Sequence, residues 1–202
     1  KTILRKHELI KAKNDDLLEA PVVIEVNKFD EKAASDFRDQ ISDAHNTGQP
    51  VIPVVIDSYG GQVYSLLSMI TDIENSTLPV ATICVGKAMS CGSVLLAWGD
   101  EGYRYIAPNA RVMIHDVSSM EWGKVEELKA GTKEVEFLND YLFKGLAKKT
   151  GQRDEEYFLK KIHDKGHAEW YMSGEEAKKQ KIVNHVKIPT LTANVNVEYT
   201  FE

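Results

Sequence analysis

A serine set among small residues lies in Gly86-Lys87-Ala88-Met89-Ser90-Cys91-Gly92-Ser93. The run before it, Val80-Ala81-Thr82-Ile83-Cys84-Val85, has the β-branched, apolar character of a buried strand that Gly86 closes. From Ser93 onward, Val94-Leu95-Leu96-Ala97-Trp98 reads as a short apolar helix stopped by Gly99. Ser90 therefore falls at a strand-to-helix junction, where N–H groups without intrahelical partners favour a developing negative charge. A hydroxyl there is placed to attack a carbonyl, although serines also sit at such junctions simply as helix caps. Cys91, next to it, is the competing nucleophile.

Two other segments supply what a nucleophilic serine needs. Val54-Val55-Ile56-Asp57-Ser58 is a second apolar strand, running through Tyr59 into Gly60-Gly61 and then a helix with Val63, Leu66, Leu67, Ile70 and Ile73 on one face. Paired glycines let main chain pass close to a substrate, so the Gly61 N–H and the Cys91 N–H are candidates for an oxyanion hole. Arg111-Val112-Met113-Ile114 is an apolar strand ending in His115, whose type suits taking a hydroxyl proton and returning it to a leaving amine near neutral pH.

Together these segments resemble the ClpP family of serine peptidases, which pairs a Ser-Pro-Gly-Gly turn with an Ala-Ser-Met-Gly nucleophile segment and a Met-Ile-His strand end. The resemblance runs from about Pro50 to Val186 and takes in Thr82-Ile83-Cys84, Pro108 to His115, and Thr150-Gly151-Gln152. It implies Ser90 as nucleophile, His115 as general base, and the Gly61 and Cys91 amides as the oxyanion hole. It implies no metal or organic cofactor. For the acidic member of the triad the expectation is Asp164, which lies as far past His115 as the family's aspartate does, though aligning back from Met172-Ser173-Gly174 requires one extra residue. Asp116 would point to the other side of an extended chain. Asp154 and Glu169 are the outside choices for this role.

The chain departs from the family at Tyr59, where a proline is usual, and at Met89-Ser90-Cys91. The first fifty residues lack the family's N-terminal loop and the strand after it, the end that meets a ring-shaped AAA+ unfoldase. A partner ATPase is therefore not expected from this region, and residues 1–20 read as a divergent N-terminal segment.

The elements that must position these residues alternate. Val22 to Val26 reads as a first strand, and Ala33, Ala34, Phe37, Ile41 and Ala44 mark the face of a helix after it. Strands at Val51 to Ile56 and from Val80, with helices from Val63 and Ser93, repeat the unit and predict right-handed βαβ crossovers about a largely parallel sheet. Tyr103 to Ala107 and Arg111 to Ile114 add shorter strands. The expected fold class is α/β in a single peptidase domain spanning 1–202, and the resemblance specifies the ClpP/crotonase-type spiral. Residues 124–149 form a long helix with Leu128, Val135, Leu138 and Leu142 on one side, flanked by Phe137 and Tyr141. The resemblance makes it a projecting handle that packs one heptameric ring on another. Residues 190–202 form a C-terminal extension with Val195, Val197, Tyr199 and Phe201 on one parity, the pattern of an edge or intersubunit strand.

The 202 residues carry a net charge of −6, which argues against nucleic acid or an anionic membrane as partner. No apolar run reaches the length of a membrane span and no charged-then-apolar leader opens the chain, so the expected compartment is the cytoplasm. Cys84 and Cys91, the two cysteines, fit a reducing setting. His163 and His167 stand four apart but have no third ligand, and Gly166 interrupts the helix between them, so no metal site is expected.

The functional expectation is a serine endopeptidase hydrolysing peptide bonds inside a self-compartmentalised homo-oligomer, with peptide or unfolded protein as substrate. Other readings on the same fold are a signal-peptide-peptidase-like protease using a lysine base, for which Lys87 is poorly placed, and a phage capsid-maturation protease. A crotonase-type acyl-CoA enzyme would not need the Ser-His pair. The non-enzymatic reading is a catalytically inactive ring subunit.

Overall fold

In a computed structural model, which describes residues 21–118, 124–166 and 168–190, the chain forms one seven-stranded sheet with helices packed on it. β1 (Ile24–Val26) leads to α1 (Glu31–Ala44), whose first turn is capped by Asp30: its carboxylate accepts the Ala33 N–H at 2.7 Å. Ala34, Phe37, Ile41 and Ala44 recur at helical spacing and are buried, as their pattern predicts. β2 (Ile52–Ser58) then feeds α2 (Val63–Glu74), and β3 (Val80–Met89) feeds α3 (Cys91–Trp98). Next come β4 (Arg104–Ile106), β5 (Arg111–Ile114), α4 (Val125–Lys149), α5 (Tyr157–His163), β6 (Trp170–Ser173), α6 (Gly174–Lys179) and β7 (His185–Val186).

The strands run β1-β2-β3-β4-β7, with β5 branching from β3 and β6 pairing β5. Every pairing is parallel except β5 with β6. This is the largely parallel, βαβ-wound arrangement the alternation predicts. β2 and β3 are central and sit on the densest part of the core, with Ile52, Val54, Ile56, Val80 and Cys84 fully buried. α3 is buried at every position, which explains why its residues are apolar all round rather than striped.

Two expectations about boundaries change. β3 does not stop at Gly86 but continues to Met89, because the register between β2 and β3 shifts there: Ile56 faces Cys84, while Ser58 faces Ala88. The extra β3 residues bulge, and the Asp57 carboxylate accepts the Lys87 N–H at 3.2 Å in place of a ladder partner. The helix after Ser90 begins at Cys91 rather than Ser93, so Ser90 itself is its N-cap residue.

α4 divides into two parts. Leu138, Leu142, Phe143, Leu146 and Ala147 are buried against the body, whereas no residue from Val125 to Phe137 is. Leu128, which the stripe groups with Leu138, is exposed. Arg104, fully buried under the end of α4, ties the neighbouring elements: its guanidinium donates to the carbonyls of Ala97 (3.3 Å) and Lys149 (3.2 Å) and to Asn184 Oδ1 (3.2 Å), and pairs with Glu101. The segment 1–20 and all of the C-terminal extension beyond Thr190 lie outside the described residues.

Candidate active site

Ser90 has φ 54° and ψ −122°, a left-handed conformation that an L side chain rarely adopts. Such a residue persists only where its surroundings over-determine it, at a cost of order 1–3 kcal/mol. Here they do. The Ser90 N–H donates to the Met113 carbonyl at 2.9 Å, and the Ser90 carbonyl accepts from the Ser93 N–H at 2.9 Å and the Ser93 hydroxyl at 2.6 Å. A sharp strand-to-helix turn of this kind lifts a serine Oγ out of the sheet, and it leaves the first α3 amides, beginning with Cys91, without a carbonyl behind them.

The Gly60-Gly61 turn is built against that serine. A Cβ on Gly60 (φ +108°) would lie 2.7 Å from Ser90 Cβ and 3.0 Å from the Met89 carbonyl oxygen. A Cβ on Gly61 (φ +153°) would lie 2.5 Å from the Phe29 carbonyl oxygen. Only glycine combines these backbone angles with this approach. The turn is further fixed by the Ser58 hydroxyl, which accepts the Gly60 N–H at 3.1 Å, and by the Gln62 N–H, which donates to the Phe29 carbonyl at 2.8 Å.

Ser90, Cys91, Gly61 and His115 line one cleft, whose apolar floor includes Val63, Leu66, Leu142 and Phe143. The Lys87-Arg111, Ala88-Val112 and Met89-Met113 pairs bring the ends of β3 and β5 alongside each other, which is how residues 90 and 115 reach the same cleft. Among the described residues no hydrogen bond joins the Ser90 hydroxyl to the half-buried His115 ring. Catalytic hydrogen bonds often tighten only once substrate is bound.

Asp164 does not line this cleft. It is exposed at the C-cap of α5, where its N–H donates to the Lys160 carbonyl at 2.8 Å. Glu169 is likewise exposed and does not line the cleft, but it adjoins a different element. β5 and β6 pair Arg111 with Ser173, Val112 with Met172, Met113 with Tyr171 and Ile114 with Trp170; the ladder ends there, and counting one residue on from its last pair gives His115 and Glu169, both outside the strands. Residues opposite each other in such a pair share a face. The Glu169 carboxylate accepts the Tyr171 hydroxyl at 2.7 Å, which holds that phenol's pKa above its ordinary value. Asp116 faces α4 and accepts from Asn139 Nδ2 at 3.2 Å, while Asp154 pairs with Lys160 at 2.9 Å.

Two alternative reactive groups are occupied otherwise. The Cys91 thiol donates to the Gly61 carbonyl at 3.3 Å, and burial pushes its pKa up, away from a nucleophilic thiolate. Lys87 is not a free base: its ammonium pairs with Asp57 at 2.8 Å and lies 4.5 Å from the centre of the Tyr59 ring. The Asp57 hydrogen bond raises its pKa, which keeps the proton on it. The sequence reading missed this Asp57-Lys87-Tyr59 cluster, and the charged pair at positions 57 and 87 beside the substituted Tyr59 was the available signal. Among the described residues no group of three or more His, Cys, Asp or Glu side chains could hold a metal ion, and His167 lies outside them. No described helix is long and apolar enough to cross a membrane.

The sequence model of one family, Clp protease, matches residues 6–189. The match reaches well before Pro50, into the part of the chain where the motifs alone carried no resemblance. The chain is similar to the ATP-dependent Clp protease proteolytic subunit of Deinococcus radiodurans, with 39% identity over 144 residues that cover 71% of this chain and 68% of the relative. It is also similar to ATP-dependent Clp protease proteolytic subunit 1 of Salinibacter ruber, with 33% identity over 144 residues that cover 71% of this chain and 59% of that relative.

Proposed function

The chain belongs to the Clp protease family, and from that premise we propose that it is a ClpP-type serine endopeptidase with Ser90 as nucleophile and His115 as general base. The observation that carries this reading is the left-handed Ser90 at a strand-to-helix turn, sharing one cleft with His115 and the Gly61 and Cys91 amides. The Ser90 oxygen attacks the peptide carbonyl while His115 takes its proton. The carbonyl oxygen becomes an oxyanion held by the Gly61 and Cys91 N–H groups. His115 then protonates the leaving amine, and water, deprotonated by the same imidazole, releases the acyl group from Ser90.

A carboxylate orients the imidazole and stabilises its charged form. Continuation of the β5–β6 register by one residue past Ile114-Trp170 supports Glu169 in that role over Asp164.

The relatives are named proteolytic subunits of ATP-dependent proteases. By that likeness this chain works as a subunit of a ring or double ring of its own copies, hydrolysing peptides or unfolded chains fed to it by an AAA+ unfoldase in the cytoplasm. The large apolar side chains exposed along α4, Val125 at 66%, Phe137 at 61% and Tyr141 at 48%, support burial of this helix in such an assembly.

A fluorophosphonate probe tests the reading on the native assembly. Labelling at Ser90 that vanishes in Ser90→Ala and weakens in His115→Ala is the expected result. An intact oligomer that takes no label overturns it in favour of an inactive ring subunit.

A further inference from the structure

The segment that carries the chain onward from His115 is held by a side chain of α4. The Val117 N–H donates to Asn139 Oδ1 at 3.0 Å, and Asn139 Nδ2 donates to Asp116 Oδ1 at 3.2 Å. A carboxamide has one acceptor end and one donor end, and here each end takes a group from one of the two residues that follow the histidine. Residues 115–118 belong to no strand or helix. A ladder therefore does not fix the path beyond Ile114, and the two-point attachment to Asn139 does.

Asn139 itself has a firm origin. It follows Leu138, the first buried residue of α4, and precedes Leu142 and Phe143, which are buried on the body and line the same cleft as His115. The Asn139 amide is thus anchored by the buried part of the helix, at the turn where α4 leaves the body. The geometry points to Asn139 as a positioning residue for His115, a role that rests on the serine-peptidase reading above. It touches no reacting atom. It sets the loop from which the imidazole reaches Ser90, and displacement of a proton-transfer group by about 1 Å costs on the order of a hundredfold in rate.

The test uses the full chain in its native assembly and a fluorogenic peptide. Asn139→Leu removes both hydrogen bonds with little change in volume; kcat should fall about tenfold or more, with KM within about twofold and the native mass unchanged. Asn139→Asp keeps the shape and the acceptor for Val117 but sets a second carboxylate against Asp116, and kcat should fall about threefold or more. This variant decides the matter if Asn139→Leu fails to assemble. Tyr64→Phe is the control, because it deletes a different bond between α4 and the body, from the Tyr64 hydroxyl to Glu134 at 2.8 Å; it should leave kcat unchanged. Wild-type rates in both Asn139 variants overturn the assignment, as does an equal loss in Tyr64→Phe, which would mean general loosening of the helix. Wild-type protein without Ser90-dependent labelling would instead remove the peptidase reading. Ser90-dependent labelling that is indifferent to Asn139 removes the positioning role alone.

Discussion

The Ser90 amide donates to the Met113 carbonyl at 2.9 Å, so the main chain of the nucleophile strand is bonded to the strand that ends in the histidine. This contact is the closing bond of the parallel β3–β5 ladder at its last pair, Met89-Met113. It fixes the Ser90 backbone in its left-handed turn. The serine and the imidazole are therefore related by sheet geometry, and their meeting depends on what holds the last residues of each strand.

Gly60 is the most sensitive position in this arrangement. A methyl group there would stand 2.7 Å from Ser90 Cβ and 3.1 Å from Ser90 Oγ, at a φ of +108° that alanine does not adopt without strain. Gly60→Ala should lower kcat/KM for a peptide by about a hundredfold or more, since either the turn carrying the Gly61 amide or the serine must move. Peptide hydrolysis measured beside native mass checks this. Full activity in an assembled variant would show that the turn does not pack on the serine in the working enzyme.

The Asp57 carboxylate bridges the β3 bulge by accepting both the Lys87 N–H and the Lys87 ammonium. Side chains this exposed, 25% for Lys87 and 44% for Asp57, form a pair that adds little to global stability. Its effect is local, three residues before Ser90. Asp57→Ala should slow fluorophosphonate labelling of Ser90 several-fold, about threefold to tenfold, with little change in Tm, and Lys87→Gln, which keeps a side-chain donor, should slow it less. Unchanged labelling rates in Asp57→Ala would mean that the bulge holds its shape without the carboxylate.

Much of this site was legible in the sequence because it depends on local chemistry. A serine after an apolar strand, a Gly-Gly turn and a histidine at a strand end each announce themselves within a few residues, and α1 shows its buried face in the spacing of Ala34, Phe37, Ile41 and Ala44. What depends on pairing between distant segments was not legible. Gly86 reads as a strand terminator, yet a carboxylate thirty residues earlier carries the strand through it. Asp164 was the natural choice by distance from His115 along the chain, whereas the β5–β6 ladder ends at Ile114-Trp170, which makes Glu169 the competing proposal. Asn139 carries no motif, and its proposed role follows only from its bonds to Asp116 and Val117 past the end of β5.

Cys84 gives the fold a pH dependence on the alkaline side. Burial within the central strand β3 pushes its thiol from an ordinary 9.0 up to about 12. Between these values the unfolded chain has lost a proton that the folded chain keeps, so this group's contribution to stability falls as pH rises, by up to about 1.4 kcal/mol per pH unit. Urea unfolding midpoints between pH 9 and 11 should decline less steeply in Cys84→Val, which lacks the thiol. Equal slopes in the two proteins would show that Cys84 titrates no differently when folded. At pH 8 the folded wild-type protein should also resist iodoacetamide at both cysteines, since Cys91 is buried and its thiol is held up as well.

The identity of the acid partner separates two carboxylates cleanly. Glu169 immediately precedes β6, next to the Ile114-Trp170 pair that ends the ladder before His115, and Asp164 sits exposed at the end of α5. An amide in place of the true partner keeps the shape but offers the imidazole the wrong hydrogen-bonding ends, a change that costs up to about ten-thousandfold in kcat in a serine triad. Glu169→Gln should therefore lower kcat by about a hundredfold or more, the smaller figure reflecting a carboxylate reached through a longer, exposed side chain, while Asp164→Asn should stay within about twofold of wild type. Tyr171→Phe refines the test, because the phenol now donates to Glu169 at 2.7 Å. Removing that donor frees the carboxylate for the imidazole and should leave kcat equal or higher. The opposite ranking, with Asp164→Asn crippled and Glu169→Gln active, would require β6 and the end of α5 to rearrange in the assembled enzyme so that residue 164 displaces residue 169.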